Sequence, residues 1–294
     1  MVLIWRFKLI KENIYNNFDD FYEDLVNYCI EKGTDIKNKV RTKYLDGEPA
    51  YYRQIIGVQA KFLPIKYEDG SYRALLPTTR QAPYKSAIKE LQWIWFYRSN
   101  NEDFLRKTLG VKYWENWVND EGTIGKGYGY QLNKPLYNYK SQVDYIIGEL
   151  KNNPNSRRII TEMWNVDDLE DMTLTPCLHH TQWTVENGKL ILFLKQRSVD
   201  TALGLCSNLW QYQVLQHLIA KECNLEVGEL IWTGVNVHVY GKHIDKLKEQ
   251  INRKKYEPPR FKINNFKGIY NFDYNDVELI NYSYGEKIKY EIAI

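Results

Sequence analysis

Disulfide chemistry is the first thing this chain lacks. Its 294 residues hold four cysteines, Cys29, Cys177, Cys206 and Cys223, with neither the density nor the paired spacing of a disulfide or zinc framework. A reducing, cytoplasmic setting is the expectation. No segment approaches the ~20 apolar residues that span a bilayer, so no membrane partner is expected. The N-terminal stretch MVLIWRFKLIKEN carries Arg6 and Lys8, which interrupt the apolar core a signal peptide needs. Its 9 prolines and 17 glycines are scattered rather than gathered into a linker, and no internal repeat or low-complexity tract is present. One domain spanning residues 1–294 is therefore expected. Charge of one sign is missing too: 40 Lys and Arg stand against 37 Asp and Glu. The basic stretches around Arg41 and after Ile251 lie beside turn signals and read as solvated loops, so no DNA partner is expected.

Aromatic residues, by contrast, are abundant, with 24 Tyr, 9 Trp and 10 Phe. They favour strands and large pockets for flat ligands. Apolar spacing predicts helices over 16–32, capped at Gly33, over Lys85–Tyr97, and over 209–223, where Leu209, Tyr212, Leu215, Leu218 and Ile219 line one face. Strand signals dominate the second half. HTQWTV (180–185) and KLILFLKQ (189–196) flank Asn187-Gly188, a strong hairpin signal, and ELIWTGVNVHVY (229–240) reads as a further strand. The expected class is α+β, with helices covering a large, mostly antiparallel sheet.

Counting outward from the turn pairs Val185 with Leu190 and brings Cys177 opposite Ser198. The open end of the hairpin thus gathers Cys177, Arg197 and Ser198. A guanidinium and a hydroxyl can hold a phosphate, and the cation favours thiolate over thiol. In VNVHVY the valines share one strand face, leaving Asn236, His238 and Tyr240 on the other. These are either a satisfied network or the floor of a pocket, and the strand pattern by itself favours the network. His179 and His180, adjacent on a strand, should point to opposite faces, which argues against a zinc site with Cys177. Arg157 and Arg158 read by themselves as a solvated strand edge, and Trp114 with Trp117 as core on a helix face.

TPC at 175–177, QRSVD at 196–200, LGL at 203–205, Asn208 and HVY at 238–240 resemble the nucleotide-binding core of the thymidylate synthase family. NSRRII at 155–160, IKELQWIW at 88–95, WENW at 114–117 and YGYQ at 128–131 extend the resemblance, in order, over nearly the whole chain. It implies reductive methylation of deoxyuridylate (dUMP) by 5,10-methylenetetrahydrofolate, without a metal, in a homodimer formed through the sheets. Cys177 would add to C6 of the pyrimidine, Glu90 would organise water near O4, and Tyr128 would join the network near C5. Arg41, Arg197 and Ser198 would bind the 5'-phosphate, together with Arg157 and Arg158 from the partner subunit. His238 and Tyr240 would bind the sugar 3'-hydroxyl, making their strand face a pocket floor. Asn208 would face the base, its carboxamide donating to O4 and accepting from N3–H of uracil. Trp114, Leu174 and Asp200 would contact the folate, and the terminal carboxylate on Ile294 would close over it.

Three positions depart from the family pattern. Leu178 stands where His is usual, Cys206-Ser207 replace Pro-Phe before Asn208, and Val235-Asn236 replace Gly-Asp before His238. The last two neighbourhoods bear on whether an exocyclic methylene at C5 takes hydride or water. A dUMP hydroxymethylase, giving 5-hydroxymethyl-dUMP and tetrahydrofolate, is therefore one alternative. A catalytically inactive nucleotide or RNA binder is another.

Overall fold

Asn187 and Gly188 both adopt positive φ, 52° and 75°, as a tight turn matched to strand twist requires. The computed structural model describes residues 13–294; all of the interrupted apolar stretch at the N-terminus except Asn13 lies outside the described residues. In chain order the strands are β1 (Ile14–Tyr15), β2 (Thr34–Ile36), β3 (Tyr52–Phe62), β4 (Tyr72–Arg73), β5 (Ile160–Glu162), β6 (Leu178–Glu186), β7 (Lys189–Asp200), β8 (Glu226–Tyr240), β9 (Arg260–Ile263) and β10 (Val277–Ile280). The helices are α1 (Phe18–Lys32), α2 (Tyr84–Leu91), α3 (Glu102–Lys107), α4 (Gly129–Leu132), α5 (Gln142–Asn152), α6 (Gly204–Glu222) and α7 (Ile244–Ile251).

Among the described residues seven strands form one sheet, in the order β1-β3-β8-β7-β6-β5 with β2 also on β3. The β6–β7 hairpin and the β3–β8 pair are antiparallel, whereas β7 and β8 run parallel. The sheet is therefore mixed, most of its pairings antiparallel as expected, with a parallel pair at its centre. The reason is the connection: a whole helix, α6, separates β7 from β8, and a crossover of that length returns the chain parallel to itself. Helices on a large mixed sheet give the α+β class expected. A second sheet, β10-β9-β4, has strands too short to leave a periodic signal. No described helix is long and apolar enough to cross a membrane.

Helix α6 is buried all round, not on one face: every residue from Leu209 to Ala220 is buried. It lies between the large sheet and α2, so it has no solvent side. Its polar residues are satisfied in place. Gln216 Nε2 donates to the Leu190 carbonyl at 2.8 Å, and Gln213 bonds the Leu75 N–H and the Arg73 carbonyl, each at 2.8 Å.

The helix expected over Lys85–Tyr97 changes pitch halfway. Helix α2 passes at Gln92 into a π turn through Phe96, closed by Tyr97 N–H on the Gln92 carbonyl at 3.0 Å. The wider turn buries both Trp93 and Trp95, and such turns often mark functional sites. Helix α1 begins where the Asn17 side chain accepts from Asp20 N–H at 2.9 Å. It ends at Gly33, where an added Cβ would meet the Cys29 carbonyl oxygen at 2.2 Å. Trp114 and Trp117 lie on a short 3-10 turn, Glu115–Trp117, rather than along a helix face.

Candidate active site

The hairpin register holds from the turn to His180, with Val185 opposite Leu190, and then slips. His180 pairs with Lys195 but Leu178 pairs with Gln196, so His179 is an extra residue in β6, a β-bulge. Cys177 consequently comes opposite Arg197, not Ser198; Arg197 N–H donates to the Cys177 carbonyl at 2.8 Å. The bulge overturns a second expectation as well. His179 and His180 do not point apart: their Nδ1 atoms reach the two oxygens of Glu162, at 2.7 and 3.0 Å.

The Arg197 guanidinium closes the other side of the Cys177 segment. Nε donates to the Pro176 carbonyl at 2.9 Å, and Nη2 to the Thr175 carbonyl and hydroxyl at 2.7 and 2.6 Å. Its carbon centre sits 5.3 Å from the Trp164 ring centroid. Burial pushes the Cys177 thiol up, while Arg197, the Tyr128 hydroxyl and Arg41 pull it back. The net direction is upward, so desolvation outweighs the cation beside the sulfur.

Glu90 stands near the end of α2, buried, with three donors on its carboxylate. Tyr113 Oη donates at 2.8 Å, and Trp114 Nε1 and Gln211 Nε2 complete the set. Burial nevertheless raises its pKa, which suits a carboxylate that gives and takes protons. Trp114 is therefore packed behind Glu90, edge-on to Tyr128 with centroids 5.2 Å apart.

These elements converge on a cavity of about 370 Å³. Of the residues expected from the sequence, Arg41, Glu90, Leu174, Cys177, Arg197, Ser198, Asp200, Asn208, His238, Tyr240 and Ile294 line it. Trp114 and Tyr128 are buried behind the wall. Arg157 and Arg158 are exposed on the segment before β5 and do not line it. Sequence reasoning missed Thr42, Pro83, Tyr113, Trp117, Gln196, Leu203, Gly204 and Ser207 in the lining. Trp117 lay within the quoted motif WENW, whereas Gln196 carries no chemical signal of its own. Gln196 lines the cavity because Trp232 Nε1 donates to its Oε1 at 3.0 Å and its Nε2 donates to the Ser198 carbonyl at 3.2 Å.

The polar face of β8 is partly network and partly floor. Asn236 Nδ2 donates to Gln54 Oε1, and Asn236 Oδ1 lies 3.0 Å from His238 Nδ1. Burial lowers the His238 pKa, favouring the neutral ring. If its proton is on Nδ1, facing Asn236, then Nε2 remains an acceptor. The tail is stitched to the segment of Arg41. Ile294 and Lys43 exchange two backbone hydrogen bonds, both 2.8 Å, and Ala293 bridges Tyr44. Among the Asp200 oxygens, Oδ1 accepts from the N–H groups of Ala202 and Leu203 at 2.9 and 3.3 Å.

A thiol beside a guanidinium, a buried carboxylate and a carboxamide around one cavity are the parts of a transferase that works through a nucleophile. The comparisons specify the class. The family model for thymidylate synthase matches residues 20–294. A thymidylate synthase of Fusobacterium nucleatum is 50% identical over 277 residues, covering 94% of this chain and 98% of that protein. One from Bacillus phage phi3T is 44% identical over 284 residues, covering 94% and 99%. The solved structure of thermostable thymidylate synthase A from Bacillus subtilis matches with a TM-score of 0.87 at 42% identity, covering 95% of this chain and 100% of that one. The chain belongs to the thymidylate synthase family. It is a one-carbon transferase of the α+β class.

Proposed function

We propose that this chain converts dUMP and 5,10-methylenetetrahydrofolate to thymidylate and dihydrofolate, with Cys177 as the nucleophile. The observation that carries the reading is the shared cavity: Cys177, Glu90, Asn208 and Arg197 all line it, although they come from separate parts of the chain. Arg41, Arg197 and Ser198 bind the 5'-phosphate. His238 Nε2 and the Tyr240 hydroxyl take the sugar 3'-hydroxyl. Asn208 donates to O4 and accepts from N3–H, a pattern cytosine reverses.

The Cys177 sulfur forms a bond to C6, and the displaced π electrons make C5 nucleophilic. Glu90, held by Tyr113, Trp114 and Gln211, supports the developing charge at O4 through water. Tyr128 joins the network that receives the C5 proton, and the C6–S bond breaks at the end to release Cys177. The folate supplies a carbon at the oxidation level of formaldehyde and then a hydride. The apolar wall of Pro83, Trp117, Leu174, Leu203 and Ile294 suits a flat pterin, and Asp200 offers its ring nitrogens a carboxylate. Ile294 covers the folate and excludes water.

Most of the departures from the family stay out of the cavity and so leave hydride transfer as the last step. Val235, Asn236 and Cys206 do not line the cavity, and Asn236 is occupied by Gln54 and His238. Only Ser207 faces the site. The working unit is one domain and a cytoplasmic homodimer, in which the exposed Arg157 and Arg158 complete the partner's phosphate site. The four cysteines are unpaired, in keeping with a reducing compartment. Incubation with 5,10-methylenetetrahydrofolate and dUMP tritiated at C5 tests the reading: tritium release with dihydrofolate and thymidylate formed, all abolished in Cys177→Ala, is expected. A hydroxymethyl product with tetrahydrofolate regenerated supports the hydroxymethylase instead, and binding without release supports an inactive binder.

A further inference from the structure

Glu162 ends the short edge strand β5, outside the cavity, and its two oxygens are shared between consecutive residues of β6. Oε1 lies 2.7 Å from His179 Nδ1 and also accepts the Trp164 N–H at 3.0 Å, while Oε2 lies 3.0 Å from His180 Nδ1. An unbroken strand would send the two rings to opposite faces. The bulge brings both to one carboxylate, so this contact exists only in the bulged register. The main chain reinforces it: Met163 N–H donates to the His179 carbonyl at 2.8 Å, and Glu162 N–H to Gln142 Oε1 at 2.8 Å.

From Glu162 the contacts run to the nucleophile in two directions. Through β6, the bulge sets Cys177 opposite Arg197. Through Trp164, whose N–H Glu162 holds, the indole lies against the His179 ring, centroids 6.1 Å apart, and under the Arg197 guanidinium. That guanidinium bonds Thr175 and Pro176, the two residues before Cys177. Burial raises the Glu162 carboxyl, but the hydrogen bonds to His179 and His180 outweigh it and bring its pKa down to about 2. Glu162 is thus ionised throughout the neutral range, an acceptor for both rings.

We propose that Glu162 is a positioning residue for the Cys177 nucleophile: by clamping His179, His180 and Trp164 it fixes the bulged register and the place of Arg197 beside the thiol. The proposal rests on the reading of Cys177 as the nucleophile. It assigns Glu162 no contact with substrate.

The test uses the full-length chain and the rate at which iodoacetamide alkylates Cys177, followed by mass spectrometry of the Cys177 peptide across pH. In Glu162→Ala the thiol should titrate about one unit higher, cutting alkylation near neutral pH by about tenfold. The value of kcat should fall in parallel while KM for the folate holds, and Glu162→Asp should recover part of the loss. A lowered melting temperature with an unchanged alkylation profile and unchanged kcat would make Glu162 a structural group only and overturn the proposal. Should Glu162→Ala fail to fold, Trp164→Leu removes the platform under Arg197 and leaves the carboxylate; an unshifted thiol profile in that variant overturns the proposal equally. Activity surviving in Cys177→Ala would refute the nucleophile itself, a separate failure that the alkylation profile does not share.

Discussion

The backbone N–H of Cys177 donates to the Tyr128 hydroxyl at 3.1 Å, and the same hydroxyl lowers the pKa of the Cys177 sulfur. Tyr128 is held for this at φ 46°, a conformation that costs a non-glycine residue about 1–3 kcal/mol. Tyr128→Phe removes one of the groups that oppose the burial of the thiol. Alkylation of Cys177 near neutral pH is expected to slow by about tenfold, corresponding to one unit of thiol pKa, and kcat to fall at least as far. The amide left without its acceptor should cost about 1–3 kcal/mol in urea unfolding. An alkylation midpoint equal to that of the parent would show that the hydroxyl does not act on the sulfur.

Asn208 faces the cavity from the second turn of α6. Its carboxamide can donate and accept at once, which O4 and N3–H of uracil demand. A carboxylate at this position can only accept while ionised, so Asn208→Asp should lower kcat/KM for dUMP by at least about 100-fold, and turnover of the cytosine nucleotide should rise. Steady-state assays on the two nucleotides check this. Equal losses on both would mean that Asn208 does not read the base.

Ile294 and Lys43 are tied by two hydrogen bonds, with Arg41 two residues before Lys43. Removing Ile294 breaks both bonds and opens the cavity on its folate side. The truncated chain should keep most of its affinity for dUMP but lose at least about tenfold in kcat, because closure excludes water only when the wall is complete. Equilibrium binding of dUMP beside turnover separates the two. A truncated chain with unchanged kcat would remove the tail from the mechanism.

Local sequence carried much of this site because its geometry is short-range. The Asn187-Gly188 turn dictated the strand pairing, and period-two alternation gathered Asn236, His238 and Tyr240 on one face. The bulge was not legible, since nothing in Leu178-His179-His180 announces an extra residue; the carboxylate that meets both rings there, Glu162, lies seventeen residues before His179. The burial of α6 was likewise invisible, because periodicity reports one apolar face and not what covers the opposite one. Trp114, core by its spacing and a folate contact by the resemblance, is buried behind Glu90, whereas Trp117, also core by its spacing, lines the cavity from the end of a 3-10 turn.

His217 offers a stability test remote from the chemistry. It is buried on α6, edge-on to Tyr72 and Phe261 with centroids 4.4 and 4.8 Å away. Burial lowers its pKa from 6.5 to about 3. The folded ring therefore stays neutral while the unfolded chain takes up a proton below pH 6.5. Between pH 6.5 and 3 the unfolded state binds more protons, so stability rises with pH across that window and is lost as the solution is acidified. Going from pH 7.5 to pH 5 should cost about 2 kcal/mol through this residue alone. In His217→Phe, which keeps an aromatic ring against Tyr72 and Phe261, that part of the loss should vanish. Urea unfolding of parent and variant at the two pH values measures it, and an equal loss in both proteins would show that His217 does not stay neutral in the folded chain.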